Sequence, residues 1–414
     1  MVPANPMGQC GAGRKRRDKK AEDMRREMGG EKKVVNVKRI YADWAATAPV
    51  SPQVLEAMLP YWDGRESFGN PSSLHDEGIG AARALRQARE EIAVLLDADP
   101  EEIYFTSGGT ESDNWAIRGA CEGAPRDRRR ILTSVLEHPA VRHTCTAMQK
   151  FGFAVTMMPV SERGRVKIPP IPADTALVTL MAANHVIGTI QKIPEAAEQT
   201  HRAGAVLLCD GVQAVATQPI CLHRMGVDLF SLSGHKLGTP RGIGLLYIRR
   251  GVRCLPLLYG GGQEGGLRSG TQNPAGAVGL ACALRLAREN QKENGALAAM
   301  AQKLRNGLQE IPGAVIRSAE GEAGVPGLVY ATFDGLRGES LVGWLNHRGI
   351  AVSADAACSS AGQRPSEVLT SMGLDEETAS AGVRFSLSWQ NTPGEVEAIL
   401  AAVLDGVARL RDLS

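Results

Sequence analysis

The chain has 414 residues, of which 43% are hydrophobic and 22% are charged, and this composition is typical of a soluble globular protein with room for two domains. No apolar run is long enough to span a bilayer, and the N-terminal segment lacks the apolar stretch of a secretory signal, so we expect a cytoplasmic protein with no membrane partner. The formal net charge of +2 excludes a strongly basic or acidic chain.

The charge is unevenly distributed, because residues 1–39 contain twelve Lys/Arg and five Asp/Glu and therefore carry a net charge of +7. We interpret residues 1–38 as a basic, disordered extension. A nucleic-acid arm is the alternative, but no aromatic side chain lies between these charges to stack on bases, and we expect no nucleic-acid partner.

Short apolar runs, typical of buried parallel strands, alternate with helical segments from residue 81 onwards. Helices are predicted at 81–98, 138–152 and 194–204. The predicted strands are IYFT (103–106), RILTS (130–134), ALVTLMAA (176–183), AVLLCDG (205–211), DLFSLSG (228–234) and GIGLLYIRR (242–250). This alternation predicts an α/β domain with a mostly parallel central sheet flanked by helices.

A long helical stretch follows at about 275–310, and strands and helices then alternate again. This part begins with a strand at 314–318 and ends with a helix at 393–413. We expect it to form a second, smaller α/β domain.

The predicted strand 103–106 leads into a glycine-rich turn, TSGGTESDN (106–114), that opens a helix. Free N–H groups and the helix dipole at such a turn attract anions, most simply a phosphate group. Glycine-rich turns before helices are common, so this turn alone is weak evidence for a phosphate site.

Two further strand ends carry reactive side chains. Asp210 and Gln213 follow strand 205–211, and Ser233, His235 and Lys236 follow strand 228–234. A lysine that holds an aldehyde as an imine, an aspartate that keeps a pyridine nitrogen protonated and a phosphate cradle are together what pyridoxal phosphate needs. Their positions at successive strand ends therefore predict this cofactor.

Eight cysteines are present, and none lies in a CxxC pair or in a metal-ligand spacing, so we expect neither a disulfide framework nor a metal site. Cys358 lies among small residues in SADAACSSAG (353–362), which is a poor place to bury a thiol. The residues alone leave two interpretations open, an inert surface cysteine and an exposed nucleophile.

These motifs resemble those of the cysteine desulfurases of the nitrogen-fixation and iron–sulfur-assembly type, within the class V aminotransferase superfamily. The resemblance covers about residues 40–410 and implies the PLP-dependent transferase fold type I. It also implies a large domain at 52–295, and a small domain formed by 39–51 with 296–414. The shared stretches are NPSSLH (70–75), FTSGGTESDN (105–114), EHPAV (137–141), DGVQ (210–213), SLSGHKLG (231–238), GGQEGGLRSGTQN (261–273), ACSSAG (357–362) and VRFSL (383–387).

The resemblance implies a role for each matching residue around pyridoxal 5'-phosphate. Lys236 would bind the cofactor covalently, His138 would stack on the ring and relay protons, and Cys358 would be the sulfur-accepting nucleophile. Asp210 would pair with the ring nitrogen and Gln213 with the phenolic oxygen. The residues implied around the phosphate are Gly109, Thr110, Ser233 and His235, with Thr271 reaching the phosphate of a partner subunit.

The implied reaction converts L-cysteine to L-alanine and leaves a persulfide on Cys358 for a sulfur-acceptor protein, either an iron–sulfur scaffold or a tRNA-thiolation protein. Arg384 and Asn184 would bind the substrate, and the guanidinium fork of Arg384 matches a carboxylate. The implied assembly is a homodimer. Selenocysteine lyase and another class V aminotransferase-like enzyme are the alternatives that this sequence leaves open.

The sequence departs from the family pattern in MAANHVIGTIQ (181–191), where His185 takes the place of a second asparagine near the cofactor. An imidazole N–H can donate a similar hydrogen bond, so we expect His185 to keep the contact with the cofactor. Because a histidine ordinarily titrates near neutral pH, we also expect it to make activity more pH-sensitive.

Overall fold

A central β-sheet of seven strands forms the framework of the protein. The structure is a computed structural model, and it describes residues 39–64, 67–354 and 365–413. A short strand, β1 (Ile40–Tyr41), precedes the sheet in the chain. The strands of the central sheet are β2 (Ile103–Thr106), β3 (Arg130–Ser134), β4 (Ala154–Met158), β5 (Thr175–Thr179), β6 (Val206–Asp210), β7 (Leu229–Ser233) and β8 (Gly244–Ile248).

The strand order is β2-β8-β7-β6-β5-β3-β4, and β8 runs antiparallel to both of its neighbours while the other pairs are parallel. The prediction of a mostly parallel sheet is therefore confirmed. Thr106 of β2 and Ser233 of β7 both pair with Gly244 of β8, so the carboxyl ends of β2 and β7 lie close together. Asp210, at the end of β6, pairs with Ser231 in the next strand.

Helices cover both faces of this sheet because alternate strand residues point to opposite sides. Leu207 and Leu245 pack in one hydrophobic cluster, whereas their neighbours Leu208 and Leu246 pack in another. The helices are α1 (Pro52–Met58), α2 (Asp76–Leu96), α3 (Gly109–Gly123), α4 (Pro139–Met148), α5 (Ile193–Arg202), α6 (Leu222–Met225), α7 (Pro274–Asn290), α8 (Asn294–Gln309), α9 (Gly338–His347), α10 (Glu367–Ser371), α11 (Glu376–Ser380) and α12 (Pro393–Arg411).

The helical stretch expected at about 275–310 consists of two helices, α7 and α8, which a short 3-10 turn at Gln291–Glu293 separates. None of the helices in the described part of the chain combines the length and the apolar character that a membrane span needs.

A separate hydrophobic cluster contains Ala42 together with apolar residues between Leu297 and Val407. It packs beneath an antiparallel sheet of β9 (Ala314–Ile316), β10 (Leu328–Phe333) and β12 (Gly382–Ser386). The strand β1 pairs in parallel with β11 (Ile350–Ala351), which attaches the residues before α1 to this later part of the chain. The exact domain boundaries stay a prediction.

Candidate active site

A tight turn joins β2 to α3 and forms a candidate phosphate cradle. Gly108 has a φ of +151°, a conformation that favours glycine. A Cβ at Gly109 would lie 2.8 Å from Val212 Cγ2 and 3.5 Å from Ser233 Cβ, so this turn packs closely against the end of β7. The first N–H groups of a helix have no partner within the helix. Gly109, Thr110 and the Ser233 hydroxyl therefore lie where an anion can accept several hydrogen bonds.

The segment Gly234–Lys236 forms a 3-10 turn directly after β7. The Lys236 ammonium donates a hydrogen bond to the carbonyl of Ala45, and His235 Nδ1 lies 3.1 Å from the Thr47 hydroxyl. Burial, reinforced by the charge of Lys236, lowers the pKa of His235 to about 4. His235 is therefore neutral at neutral pH, and one ring nitrogen contacts Thr47.

Asp210 is buried at the carboxyl end of β6, where its Oδ1 accepts a hydrogen bond from the Val212 N–H at 2.9 Å. Burial raises the pKa of Asp210, although the Val212 N–H and the charge of Lys236 act in the opposite direction. Two more buried carboxyl groups, those of Asp113 and Glu137, interact with it. A positively charged group beside Asp210 would relieve this crowding of acids.

Two imidazole rings lie edge to face at the start of α4. The ring centroids of His138 and His185 are 5.6 Å apart, and His138 Nδ1 accepts the N–H of Ala140 at 3.1 Å. Burial lowers the pKa of His138 to about 4 and lowers the pKa of His185 well below its ordinary value, with nearby cations adding to both effects. Both rings are neutral at neutral pH. The expectation that His185 titrates near neutrality is therefore wrong.

Asn184 and Gln213 differ in the use of their amide groups. Asn184 is fully buried, its Oδ1 accepts the N–H groups of Val186 and Ile187, and its Nδ2 donates to the Leu136 carbonyl at 3.2 Å. These bonds use the Asn184 amide to build the turn, and the substrate-binding role expected for Asn184 stays a prediction. Gln213 Oε1, in contrast, is buried without a hydrogen-bond partner among the described residues.

Arg384 lies in β12, and only 5% of its side chain is exposed. One terminal nitrogen donates to the His185 carbonyl at 2.7 Å, and the other lies 3.0 Å from Asp43 Oδ1. Its Nε is buried without a hydrogen-bond partner in the described part of the chain. This N–H is a donor that a carboxylate ligand can use.

Two predicted site residues lie away from this cluster or outside the described chain. Thr271 is exposed in the segment between the 3-10 turn Glu264–Gly266 and α7. Cys358 lies outside the described residues. The described chain before it ends at Ala354, one residue after Ser353, whose backbone pairs with that of Arg384.

The aminotransferase class-V family model matches residues 40–399. A cysteine desulfurase IscS from Methanosarcina thermophila is 42% identical over 93% of this chain and 96% of its own length. One from Clostridium botulinum is 39% identical over 91% of this chain and 96% of its own length. The chain belongs to the class-V aminotransferase family, as a cysteine desulfurase. The predicted family and enzyme class are thus confirmed.

Two solved structures of similar proteins have the same fold. A NifS-like protein superposes with a TM-score of 0.83 at 37% identity and covers 89% of this chain and 99% of its own. A structure described as SspA in complex with cysteine has a TM-score of 0.73 at 32% identity, over 84% of this chain and 99% of its own. The predicted fold type I is confirmed.

Enzymes of the class-V family work in general with pyridoxal phosphate, and the site of this desulfurase fits that group. The cradle at Gly109 and Ser233 suits its phosphate, and the buried carboxyl of Asp210 suits a protonated ring nitrogen. Gln213 Oε1 and His185 Nδ1 are buried and have no hydrogen-bond partner in the part of the chain that the structure describes, and a polar ligand would satisfy both atoms.

Sequence reasoning missed the segment Asp43–Thr47 as part of the desulfurase site. Asp43 contacts Arg384, the Ala45 carbonyl contacts Lys236, and Thr47 contacts His235. The stretch YADWAATAP (41–49) gives no signal for these contacts, because its partners lie about two hundred or more residues away in the chain.

Proposed function

We propose that this desulfurase converts L-cysteine to L-alanine with pyridoxal 5'-phosphate and takes the sulfur atom onto Cys358. The observation that carries the proposal is the convergence of three features at the carboxyl edge of the central sheet. These are the amine of Lys236, the buried carboxyl of Asp210 and the glycine turn before α3 that faces Ser233. An imine, a ring-nitrogen partner and a phosphate cradle require these three features together.

This geometry supports the following assignment of the residues that would hold the cofactor. Lys236 supplies the amine, Asp210 the partner of the ring nitrogen, and Gln213 the partner of the phenolic oxygen. When bound, pyridoxal phosphate withdraws electrons from the α-carbon of an amino acid and so weakens the bonds around it. The phosphate ligands are Gly109, Thr110, Ser233 and His235, with Thr271 of a second subunit completing the set in a homodimer.

Two groups of the protein handle protons in this proposal. The Lys236 amine, once released, takes the proton from the substrate α-carbon. His138 would stack on the ring. Its imidazole is neutral because its pKa is about 4, and it accepts the Ala140 N–H at Nδ1, so its proton lies on Nε2, from which a relay would begin. His185 is also neutral, and the N–H of its buried ring is the group that would donate to the cofactor in place of an amide.

Arg384 binds the substrate carboxylate. Its guanidinium is almost fully buried, and its Nε–H has no partner among the described residues, so a carboxylate can be held with little competition from water. A substrate fixed at its carboxylate presents the same face to Lys236 in each turnover.

Cys358 receives the sulfur. Its thiolate forms a bond to the sulfur of L-cysteine as the carbon–sulfur bond of the substrate breaks, and the electron pair of that bond stays with the carbon. A proton then adds to this carbon and Lys236 returns a proton to the α-carbon, so the organic product is L-alanine and Cys358 carries a persulfide. A protein of the iron–sulfur scaffold or tRNA-thiolation type would take up the sulfur in the cytoplasm.

The experiment is a comparison of alanine and sulfide production from L-cysteine by the purified holoenzyme and by Cys358→Ala. We expect Cys358→Ala to lose both products together. Cys221→Ala is the matched control, because Cys221 is a partly buried free cysteine away from the site, and it should retain the wild-type rates.

Two outcomes would favour the alternatives. Faster turnover of L-selenocysteine than of L-cysteine would favour a selenocysteine lyase. Full turnover by Cys358→Ala would favour an aminotransferase-like reaction, because transfer of an amino group needs no thiol.

A further inference from the structure

Asp43, in the segment before α1, forms hydrogen bonds with both Arg384 and Ser353. Arg384 donates to Asp43 Oδ1 at 3.0 Å, and the Ser353 hydroxyl donates to Asp43 Oδ2 at 2.9 Å. Both carboxylate oxygens of Asp43 are therefore used. The side chains of Arg384 and Asp43 are only 5% and 17% exposed, so water screens this ion pair weakly.

The backbone around Asp43 holds its carboxylate in place. The Ser386 N–H donates to the Ala42 carbonyl at 2.8 Å, and the Trp44 N–H donates to the Ser386 carbonyl at 3.2 Å. Asp43 thus lies between two hydrogen bonds that join its segment to β12, the strand that carries Arg384. Because the backbone of Asp43 is held in this way, its carboxylate keeps a constant position beside the Arg384 guanidinium.

The hydrogen bonds of Arg384 occupy part of the donor capacity of its guanidinium, which has five N–H groups. The His185 carbonyl and Asp43 each engage one terminal nitrogen, and both contacts restrict rotation of the planar guanidinium. The buried Nε has no hydrogen-bond partner among the residues that the structure describes. Without Asp43, the buried cation would lose its charge partner and turn toward another acceptor.

We propose that Asp43 is a positioning residue for substrate binding, which fixes the Arg384 guanidinium so that its free edge receives the α-carboxylate of the amino acid. Ser353 supports this role by holding the second oxygen of Asp43. The inference rests on the proposed function, because it requires that Arg384 binds the substrate carboxylate.

The same segment reaches the other half of the site. Two residues after Asp43, the Ala45 carbonyl accepts the hydrogen bond from Lys236, and the Ala45 N–H donates to the Ser386 hydroxyl at 2.9 Å. A cavity of 430 Å³ borders both Ala45 and Lys236. The segment that contains Asp43 therefore contacts both Arg384 and Lys236. The same segment would thus position the residue that binds the carboxylate of the amino acid and the lysine that binds the cofactor.

The test compares steady-state kinetics of the holoenzyme and of Asp43→Ala with L-cysteine. We expect KM to rise about tenfold or more while kcat changes by less than about threefold, because a charged hydrogen bond that orients the binding group is lost. Asp43→Asn keeps one acceptor oxygen for Arg384, and its KM should lie between that of the wild type and that of Asp43→Ala. Ser353→Ala leaves the charge in place and should raise KM by a smaller factor than Asp43→Ala.

A second readout separates positioning from a general loss of structure. L-alanine and ethylamine differ by the carboxylate, so Asp43→Ala should raise the inhibition constant of L-alanine and leave that of ethylamine unchanged. Asp228→Asn is the matched control. It removes a buried carboxylate that pairs with His201 and Arg249 at the amino ends of the strands, and its KM should equal that of the wild type.

The outcomes distinguish the two proposals. A KM for L-cysteine in both Asp43 variants at or below the wild-type value, together with a raised KM in Arg384→Ala, would overturn the role of Asp43 and leave the proposed function intact. A wild-type KM in Arg384→Ala would instead overturn the assignment of Arg384. An equal rise of both inhibition constants would also refute positioning of the carboxylate.

Discussion

The buried carboxyl of Glu137 should make the protein less stable as the pH rises, and replacement by glutamine should remove this effect. Glu137 is 2% exposed, and its Oε1 accepts the Met181 N–H at 2.8 Å while Oε2 has no hydrogen-bond partner in the described chain. Burial, followed by the charge of Asp210, raises the pKa of Glu137 from 4.5 to about 8.

The magnitude follows from proton linkage. The unfolded chain releases the Glu137 proton above its ordinary pKa of 4.5, whereas the folded protein retains it up to a pKa of about 8. The stabilisation is therefore complete below pH 4.5 and is lost as the pH rises toward 8. At about 1.4 kcal/mol for each pH unit in this window, the loss between pH 5 and pH 8 is on the order of 3 kcal/mol.

The assay is urea unfolding of the holoprotein and of Glu137→Gln at pH 5 and pH 8. The stability of the variant relative to the wild type should increase by on the order of 3 kcal/mol between the two values. Any constant effect of the amide cancels in this comparison. Parallel stability curves for the two proteins would refute the reasoning, because they would mean that Glu137 is ionised in the folded state.

Glu102→Gln is the matched control, because we expect its effect on the free energy of unfolding to depend on pH in a different way. Glu102 is also buried, but N–H donors from Asp99 and Arg250, together with His223, outweigh the effect of burial and lower its pKa. Its stabilisation is complete above the ordinary pKa and is lost only as the pH falls through the lowered value. Glu102→Gln should therefore be destabilised by a similar amount at pH 5 and pH 8.

Three further predictions concern the site. His185→Asn should leave the pH dependence of kcat/KM between about pH 6 and pH 9 unchanged, because burial keeps the His185 pKa well below its ordinary value. A shift in the low-pH side of the kcat/KM profile would contradict this. Asp210→Asn should lower kcat by about a hundredfold or more and alter the visible absorption of the bound cofactor, since the ring nitrogen loses its carboxylate; an unchanged spectrum would count against the pairing. Gly109→Ala should weaken cofactor affinity, measured by equilibrium dialysis, because its Cβ would lie 2.8 Å from Val212 Cγ2, and an unchanged affinity would argue against the cradle.

The central parallel strands were predictable because they are buried on both faces and therefore read as continuous apolar runs. The predicted segment 130–134 coincides with β3, and the predicted segment 205–211 contains β6. The strand β4 was missed because it lies at the edge of the sheet, where Ala154 and Met157 are exposed and the apolar run is interrupted. Burial, rather than β-propensity alone, made the strands recognisable.

The reactive side chains at the strand ends were predictable for a similar reason, since the ends of adjacent parallel strands meet at one edge of the sheet. The contacts that orient them were not. Asp43 and Arg384 lie 341 residues apart in the chain, and Asn184 gives no sign in the sequence that its amide holds a turn. Such contacts depend on how β1 and β12 are brought together, which local patterns do not specify.

The central claim is that the sulfur of L-cysteine moves to Cys358, and a single-turnover experiment with mass analysis of the intact enzyme tests it most directly. With one equivalent of L-cysteine and no reductant, we predict one equivalent of L-alanine and a mass increase of one sulfur atom, mapped to the peptide that contains Cys358. Release of alanine with no sulfur on that peptide would contradict the account.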